Sequence, residues 1–133
     1  MSRAGTELGR VRGLGAAKKG ARDWMLQRIT AVANLTLLTW LAASLILGDV
    51  GTYEGVQRWL GSPLAAAPLA LLVVSVFTHV RLGLTVLIED YVHAEGAKMA
   101  ALLANIFFTW GGMIFALFAI LKIAFGAVTN AGQ

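Results

Sequence analysis

Three long apolar runs constrain this chain more than any other feature. The first, "ITAVANLTLLTWLAASLILG", covers residues 29–48 without a charge. The second extends over residues 64–88 and is broken only by His79 and Arg81. The third, "MAALLANIFFTWGGMIFALFAIL", fills residues 99–121 between Lys98 and Lys122. Each reaches the roughly 20 residues with which a helix crosses about 30 Å of hydrocarbon. Lipid offers no partner to exposed backbone N–H and C=O groups, so such runs must be helical. The expected fold class is an all-α membrane protein with three transmembrane helices. The balance of residues agrees: 58% are hydrophobic and 14% charged, against about 25% charged in soluble domains. Mean hydropathy is +0.73.

Charge placement sets the expected topology. Seven of the eleven Lys and Arg residues fall within the first 28 positions, ahead of the first apolar run. That distribution reads as a topology signal rather than a nucleic-acid-binding arm. The first loop, "DVGTYEGVQRWLGSP", has one Arg, and the tail after Lys122 has none. The N-terminus and the loop "EDYVHAEGAK" are therefore expected in the cytoplasm, and the C-terminus outside. The first apolar run exceeds the 7–15 residues of a signal-peptide core and lacks a small-residue cleavage pattern, so it reads as a retained span. The expected divisions are a basic cytoplasmic segment (1–26), a three-helix domain (27–126, with spans 27–48, 64–90 and 97–124) and a short tail (127–133). "GLGAAKKGA" suggests a flexible or weakly helical approach, with Asp23 and Trp24 where the chain meets the membrane surface. "YEGVQRWL" is a candidate short interfacial helix, with Tyr53 and Trp59 at the outer interface.

The ionisable groups of the second run carry the chemistry. There is no cysteine, which excludes disulfides, thiolate metal sites and cysteine nucleophiles. His79 and His93 are the only histidines, too few for a zinc site. At about 100° per residue, Ser75, His79, Gly83, Val86 and Asp90 share one stripe of the second helix. Asp90 stands about 16 Å beyond His79, toward the cytoplasmic side. An imidazole in lipid is costly without a partner. Two readings fit His79: a hydrogen bond to a neighbouring helix, or an axial ligand to haem iron beside a small residue, Gly83. One intramembrane histidine supplies one ligand, so a six-coordinate haem needs a second chain.

Arg81 lies about 200° around from His79. A guanidinium at the bilayer centre costs about 2.5–3.5 kcal/mol on insertion scales. It is therefore expected to face a partner helix, a carboxylate or a haem propionate. Close-packing seams are expected along Thr30, Asn34, Leu37, Leu41, Ser44 and Gly48 in the first helix. In the third they are expected along Ala97, Ala101, Ala104, Phe108, Gly112 and Phe115.

"HVRLGLTVLIEDYVH", residues 79–93, resembles the His, ten residues, Asp-Tyr-Val pattern of the smaller membrane anchor in the succinate dehydrogenase family. "GARDWMLQRITAVANL" resembles the Gly-x-x-Asp-aromatic, then Arg-x-Thr-Ala, lead into that family's first helix. The resemblance covers about residues 20–126. It implies half of a two-subunit haem-binding helix bundle, in which a second membrane-anchor subunit shares one b-type haem. It also implies flavoprotein and iron–sulfur subunits held on the membrane. Ubiquinone reduction is implied near the cytoplasmic (or matrix) surface. The N-terminal segment is not the acid-poor, Ser- and Arg-rich kind of a transit peptide, which favours a bacterial inner membrane over a mitochondrial one.

Carried over residue by residue, the resemblance puts His79 at the haem iron and Arg28 near the haem propionates. It puts Tyr91 at a quinone carbonyl, with Asp90 orienting that site or passing protons. Arg81 sits where the family pattern has no fixed charge, so no role comes with it. Arg22 stands where some members carry histidine, a second cation near the propionates. His93 is either a titrating group at the quinone mouth or a solvated loop residue. The chain has no flavin motif and no cysteine for iron–sulfur clusters, so electrons must arrive from partner subunits. The rival readings are a purely structural membrane adaptor, with His79 and Arg81 holding helices together, and an anchor of the fumarate-reductase type.

Overall fold

A computed structural model describes residues 14–131. Residues 1–13 of the expected basic segment and 132–133 of the expected tail lie outside the described residues. Among the described residues there are four helices and no strand: α1 (Leu14–Leu47), α2 (Tyr53–Gly61), α3 (Pro63–Tyr91) and α4 (Glu95–Ala131). Three of them are long and apolar enough to cross a membrane, over Gly20–Leu47, Pro63–Tyr91 and Glu95–Gly126. At 1.5 Å per residue each exceeds about 30 Å, so their ends reach past the hydrocarbon. The basic approach to the first span is not a separate flexible piece from Leu14 onward, because α1 begins there.

Local chemistry explains the breaks. Thr52 caps α2 by accepting a hydrogen bond from the Gly55 N–H at 3.1 Å, and Glu54 sits in the first turn, where the helix dipole favours an anion. A Cβ on Gly55 would run into the Asp49 carbonyl, so glycine is what lets this turn close. Ser62 ends α2 and starts α3, and Pro63 follows at the first turn, where its missing N–H costs nothing. The short link of residues 92–94 then reverses the chain into α4. The expected interfacial helix is thus present as α2. It packs on α3 and α4, and its Trp59 stacks on Trp40 of α1 with ring centroids 6.0 Å apart.

Helix α3 is the centre of the arrangement, packed against α1 on one side and α4 on the other. Buried apolar residues are few (Leu60, Ala65, Leu72, Leu82 and Ile120), while large side chains such as Leu35, Phe107 and Phe118 point outward. A water-soluble domain of this size would collapse around those groups; a bilayer accepts them. Inside the bundle, polar residues occupy the contacts instead: Thr30, Ser75, Asn105 and Thr109 are buried.

The expected seam of α1 matches the inward face from Thr30, which is buried, through Asn34, Leu37, Leu41 and Ser44, which are half-buried; Gly48 falls past the helix end and is exposed. The expected seam of α4 does not. Ala101 and Gly112 face inward, but Phe108 is 69% and Phe115 75% exposed. Asn105 and Thr109 take the interior line, because a polar side chain needs a partner that lipid cannot supply, whereas a phenyl ring needs none. Gly112 is where α4 comes closest: a Cβ there would stand 2.6 Å from Phe77 Cε1. Gly112→Leu should therefore destabilise the bundle by about 1–3 kcal/mol. Phe77→Ala in the same chain should recover part of that loss. Thermal unfolding of the detergent-solubilised protein across the four-variant cycle checks it; additive effects would remove the contact.

Candidate functional site

The site begins at the contact between α1 and α3. Thr30 of α1 lies with its Oγ1 2.7 Å from the Leu26 carbonyl and 3.0 Å from His79 Nδ1. A carbonyl has no proton to offer, so the hydroxyl proton goes to Leu26 O, and Thr30 Oγ1 must accept from His79. Nδ1 therefore carries the imidazole proton, and Nε2 keeps its lone pair. Fixing one ring nitrogen by a hydrogen bond orients the other, as it does in metal-bound imidazoles generally. Ser75, one turn away on α3, adds a long contact from its hydroxyl to the Thr30 carbonyl at 3.4 Å. The half-buried His79 is thus held against α1 through one ring nitrogen, with the other left without a partner among the described residues.

The stripe predicted on α3 splits. Ser75, His79 and Gly83 face α1, whereas Val86, Asp90 and Tyr91 are exposed. The space beside Gly83 is approached by Gln27, whose Nε2 lies 3.5 Å from where a Cβ would be. The Gln27 Oε1 and Asn34 Oδ1 are buried without a hydrogen-bond donor among the described residues. Polar groups therefore flank His79 along the same α1 face.

Arg28 is placed differently. It lies two residues before Thr30, about 160° around α1, and is exposed, with its guanidinium 5.4 Å from the Trp24 ring centroid. Within this chain it does not meet His79. Arg22 is also exposed.

The far end of α3 forms a second group. Tyr91 is the last helical residue and is 75% exposed, with Asp90 exposed beside it. The α3 C-terminus is held by three donors. The Val92 N–H reaches the Ile88 carbonyl, Lys98 Nζ reaches the Glu89 carbonyl at 3.1 Å, and His93 Nδ1 lies 3.1 Å from the Tyr91 carbonyl. A cation at a helix C-terminus satisfies the terminal carbonyls and the dipole together. His79 lies about 18 Å along the axis from Tyr91, so the two groups are separate positions on one rigid rod.

A third polar group joins α3 to α4. Thr85 Oγ1 donates to the Arg81 carbonyl at 2.8 Å, and Asn105 Nδ2 donates to that carbonyl at 3.0 Å and to Thr85 Oγ1 at 3.2 Å. With both acceptors on one side, the amide orientation of Asn105 is settled by its partners. Sequence reasoning did not single out Gln27, Thr85, Lys98 or Asn105, and met Thr30 only as a seam residue and as part of the Arg-x-Thr-Ala stretch, with no role given to it. The available signal was that an amide inside an apolar span is itself costly without a partner.

Comparison with known proteins places this geometry. The profile described as "Succinate dehydrogenase/Fumarate reductase transmembrane subunit" matches residues 2–124. A succinate dehydrogenase hydrophobic membrane anchor subunit of Paracoccus denitrificans is 30% identical over 117 residues, covering 87% of this chain and 89% of that protein. The protein of the same description from Rickettsia bellii is 30% identical over 99 residues, covering 74% of this chain and 78% of that protein. The chain belongs to the succinate dehydrogenase/fumarate reductase transmembrane subunit family, among its hydrophobic membrane anchor subunits.

Proposed function

We propose that this multi-pass membrane protein anchors a succinate dehydrogenase in a bacterial inner membrane, provides one axial ligand of a b-type haem and forms part of a ubiquinone-reduction site. The anchoring role rests on family membership and on the match to anchor subunits from two bacteria. The haem role is supported by one observation: Thr30 Oγ1 lies 3.0 Å from His79 Nδ1 and 2.7 Å from the Leu26 carbonyl, an arrangement in which Nδ1 donates and Nε2 is left to bind iron. The haem, shared with a second membrane-anchor subunit, supplies one-electron redox chemistry when bound. Thr30 orients His79 throughout. Arg28 serves the propionates from the outward face of α1, where another subunit can meet it.

The quinone role falls to the exposed end of α3. Reducing ubiquinone to ubiquinol takes two electrons and two protons. The electrons come from partner iron–sulfur and flavoprotein subunits, because this chain has no cysteine for a cluster. As a carbonyl oxygen gains charge, the Tyr91 hydroxyl donates a hydrogen bond to it. Asp90 and His93, both exposed at the cytoplasmic end, are the groups that can pass protons to the site. Tyr91 stands open to the outside of the chain, so another subunit must complete the pocket.

His79→Ala should abolish or alter the reduced-minus-oxidised b-haem spectrum of the complex purified through this chain. Thr30→Val should leave the ligand but shift that spectrum, while Thr30→Ser preserves it. A spectrum unchanged in His79→Ala would instead favour the purely structural reading, in which the Thr30 bond only ties α1 to α3. For Tyr91→Phe, ubiquinone reduction should fall at least about tenfold, while succinate oxidation with an artificial acceptor stays near wild type; equal losses would remove the quinone role. A tag at the N-terminus should be protease-sensitive only from the cytoplasmic side, and sensitivity from outside would reverse the topology.

A further inference from the structure

We infer that Arg81 is the membrane-buried half of an ion pair whose carboxylate comes from a helix of the second anchor subunit, an inference that rests on the anchor reading above. Arg81 lies ten residues before the end of α3, about 15 Å along its axis. Even with that end past a hydrocarbon layer about 30 Å thick, it stands within the apolar layer, in the half toward that end. Its side chain lines a groove between α3 and α4 with Phe77, Thr78, Thr109, Trp110 and Met113. The other α3 residues lining the groove, Phe77 and Thr78, lie N-terminal to Arg81, the direction in which side chains lean along a helix. Among the described residues no side chain or carbonyl accepts a hydrogen bond from it, and no carboxylate pairs with it.

The chemistry of the occupant follows from what this chain lacks. Its seven carboxylates are Glu7, Asp23, Asp49, Glu54, Glu89, Asp90 and Glu95, all before, between or at the ends of the spans. A second copy of the chain therefore has no acid at the depth of Arg81. A lipid phosphate stays at the headgroup level, whereas the groove runs from Arg81 past Thr78 and Phe77, away from the nearer surface. The groove holds about 90 Å³, room for a side-chain tip, whereas sites for small-molecule ligands run to about 300–1,000 Å³. His79 is on the other side of α3, so haem bound there leaves this groove free. An Asp or Glu in a facing transmembrane helix satisfies depth, charge and size together. A guanidinium and carboxylate can then form two parallel hydrogen bonds, the geometry that repays desolvation of both.

The test uses the assembled complex, purified through a tag on this chain, with the second anchor subunit quantified in the eluate. Arg81→Met keeps volume and removes an insertion penalty, so the chain should insert as well as wild type. The recovered second anchor should nevertheless fall at least about tenfold, because its carboxylate is left buried and unpaired. Arg81→Lys should retain more. Arg81→Glu should then be combined with single Asp→Arg or Glu→Arg changes in the spans of the second anchor. One such reversal should restore recovery to within about twofold of wild type. Wild-type recovery in Arg81→Met would overturn the pairing, and so would a loss that no acidic reversal restores. Loss of haem absorbance with subunit recovery intact would overturn it in favour of a propionate. Wild-type chain recovered without a second anchor would instead overturn the anchor reading on which it rests.

Discussion

Everything in this bundle follows from one constraint: a bilayer makes no hydrogen bonds. Each polar group that enters it must find a partner within the protein, so the polar residues of the spans decide which helix faces meet. The Thr30–His79 bond fixes the rotation of α1 against α3. The Asn105 bonds to the Arg81 carbonyl and Thr85 fix the rotation of α4 against α3. Apolar packing cannot do this alone, because one lipid-facing leucine is energetically much like another leucine packed on a neighbouring helix. The close approach of Gly112 to Phe77 adds contact area to a rotation that polar groups have already selected.

Helix α3 consequently carries different chemistry on each side. Toward α1 it presents an imidazole hydrogen-bonded to Thr30, and toward α4 a guanidinium that meets no carboxylate among the described residues. At its end it presents a phenol and an acid. These groups need no separate loops to position them: a single rod of 29 residues sets their spacing, and Lys98 of α4 clamps its C-terminus. Such stiffness keeps His79, Arg81 and Tyr91 at fixed spacings along one axis. The one proline inside the rod, Pro68, lies in the second turn, so the backbone hydrogen bond it removes is far from His79.

The parts of this arrangement that were legible in the sequence are those set by a single helix. Apolar length marked the three spans, and the run of polar and aromatic residues after Thr52 marked α2. The His79-to-Tyr91 spacing needed only the helical rise. What was not legible depends on how two helices rotate against each other. Ala101, Ala104 and Gly112 suggested one seam for α4, yet Asn105 and Thr109 turned the helix by roughly one residue step. Arg28 was placed near the haem propionates by the resemblance alone, and its direction, outward on α1 and nearly half a turn from Thr30, could be read only from the packed helices. In both cases the local sequence named the residue and only the partner helix named its direction.

The same reasoning implies that this chain is one side of a larger structure. Gln27 Oε1, Asn34 Oδ1 and Asn105 Oδ1 are buried without donors among the described residues, each an expense of about 1–3 kcal/mol when left unmet. Within the chain α3 touches both other spans, yet Tyr91, Asp90 and Arg28 are turned outward. A self-sufficient three-helix protein would hide its polar groups and show lipid only hydrocarbon. Here the internal contacts fix the helices in register, and the reactive groups are left at edges where a second protein surface can meet them. The inward bonds thus make the scaffold, and the outward polar groups are left where another protein surface can meet them.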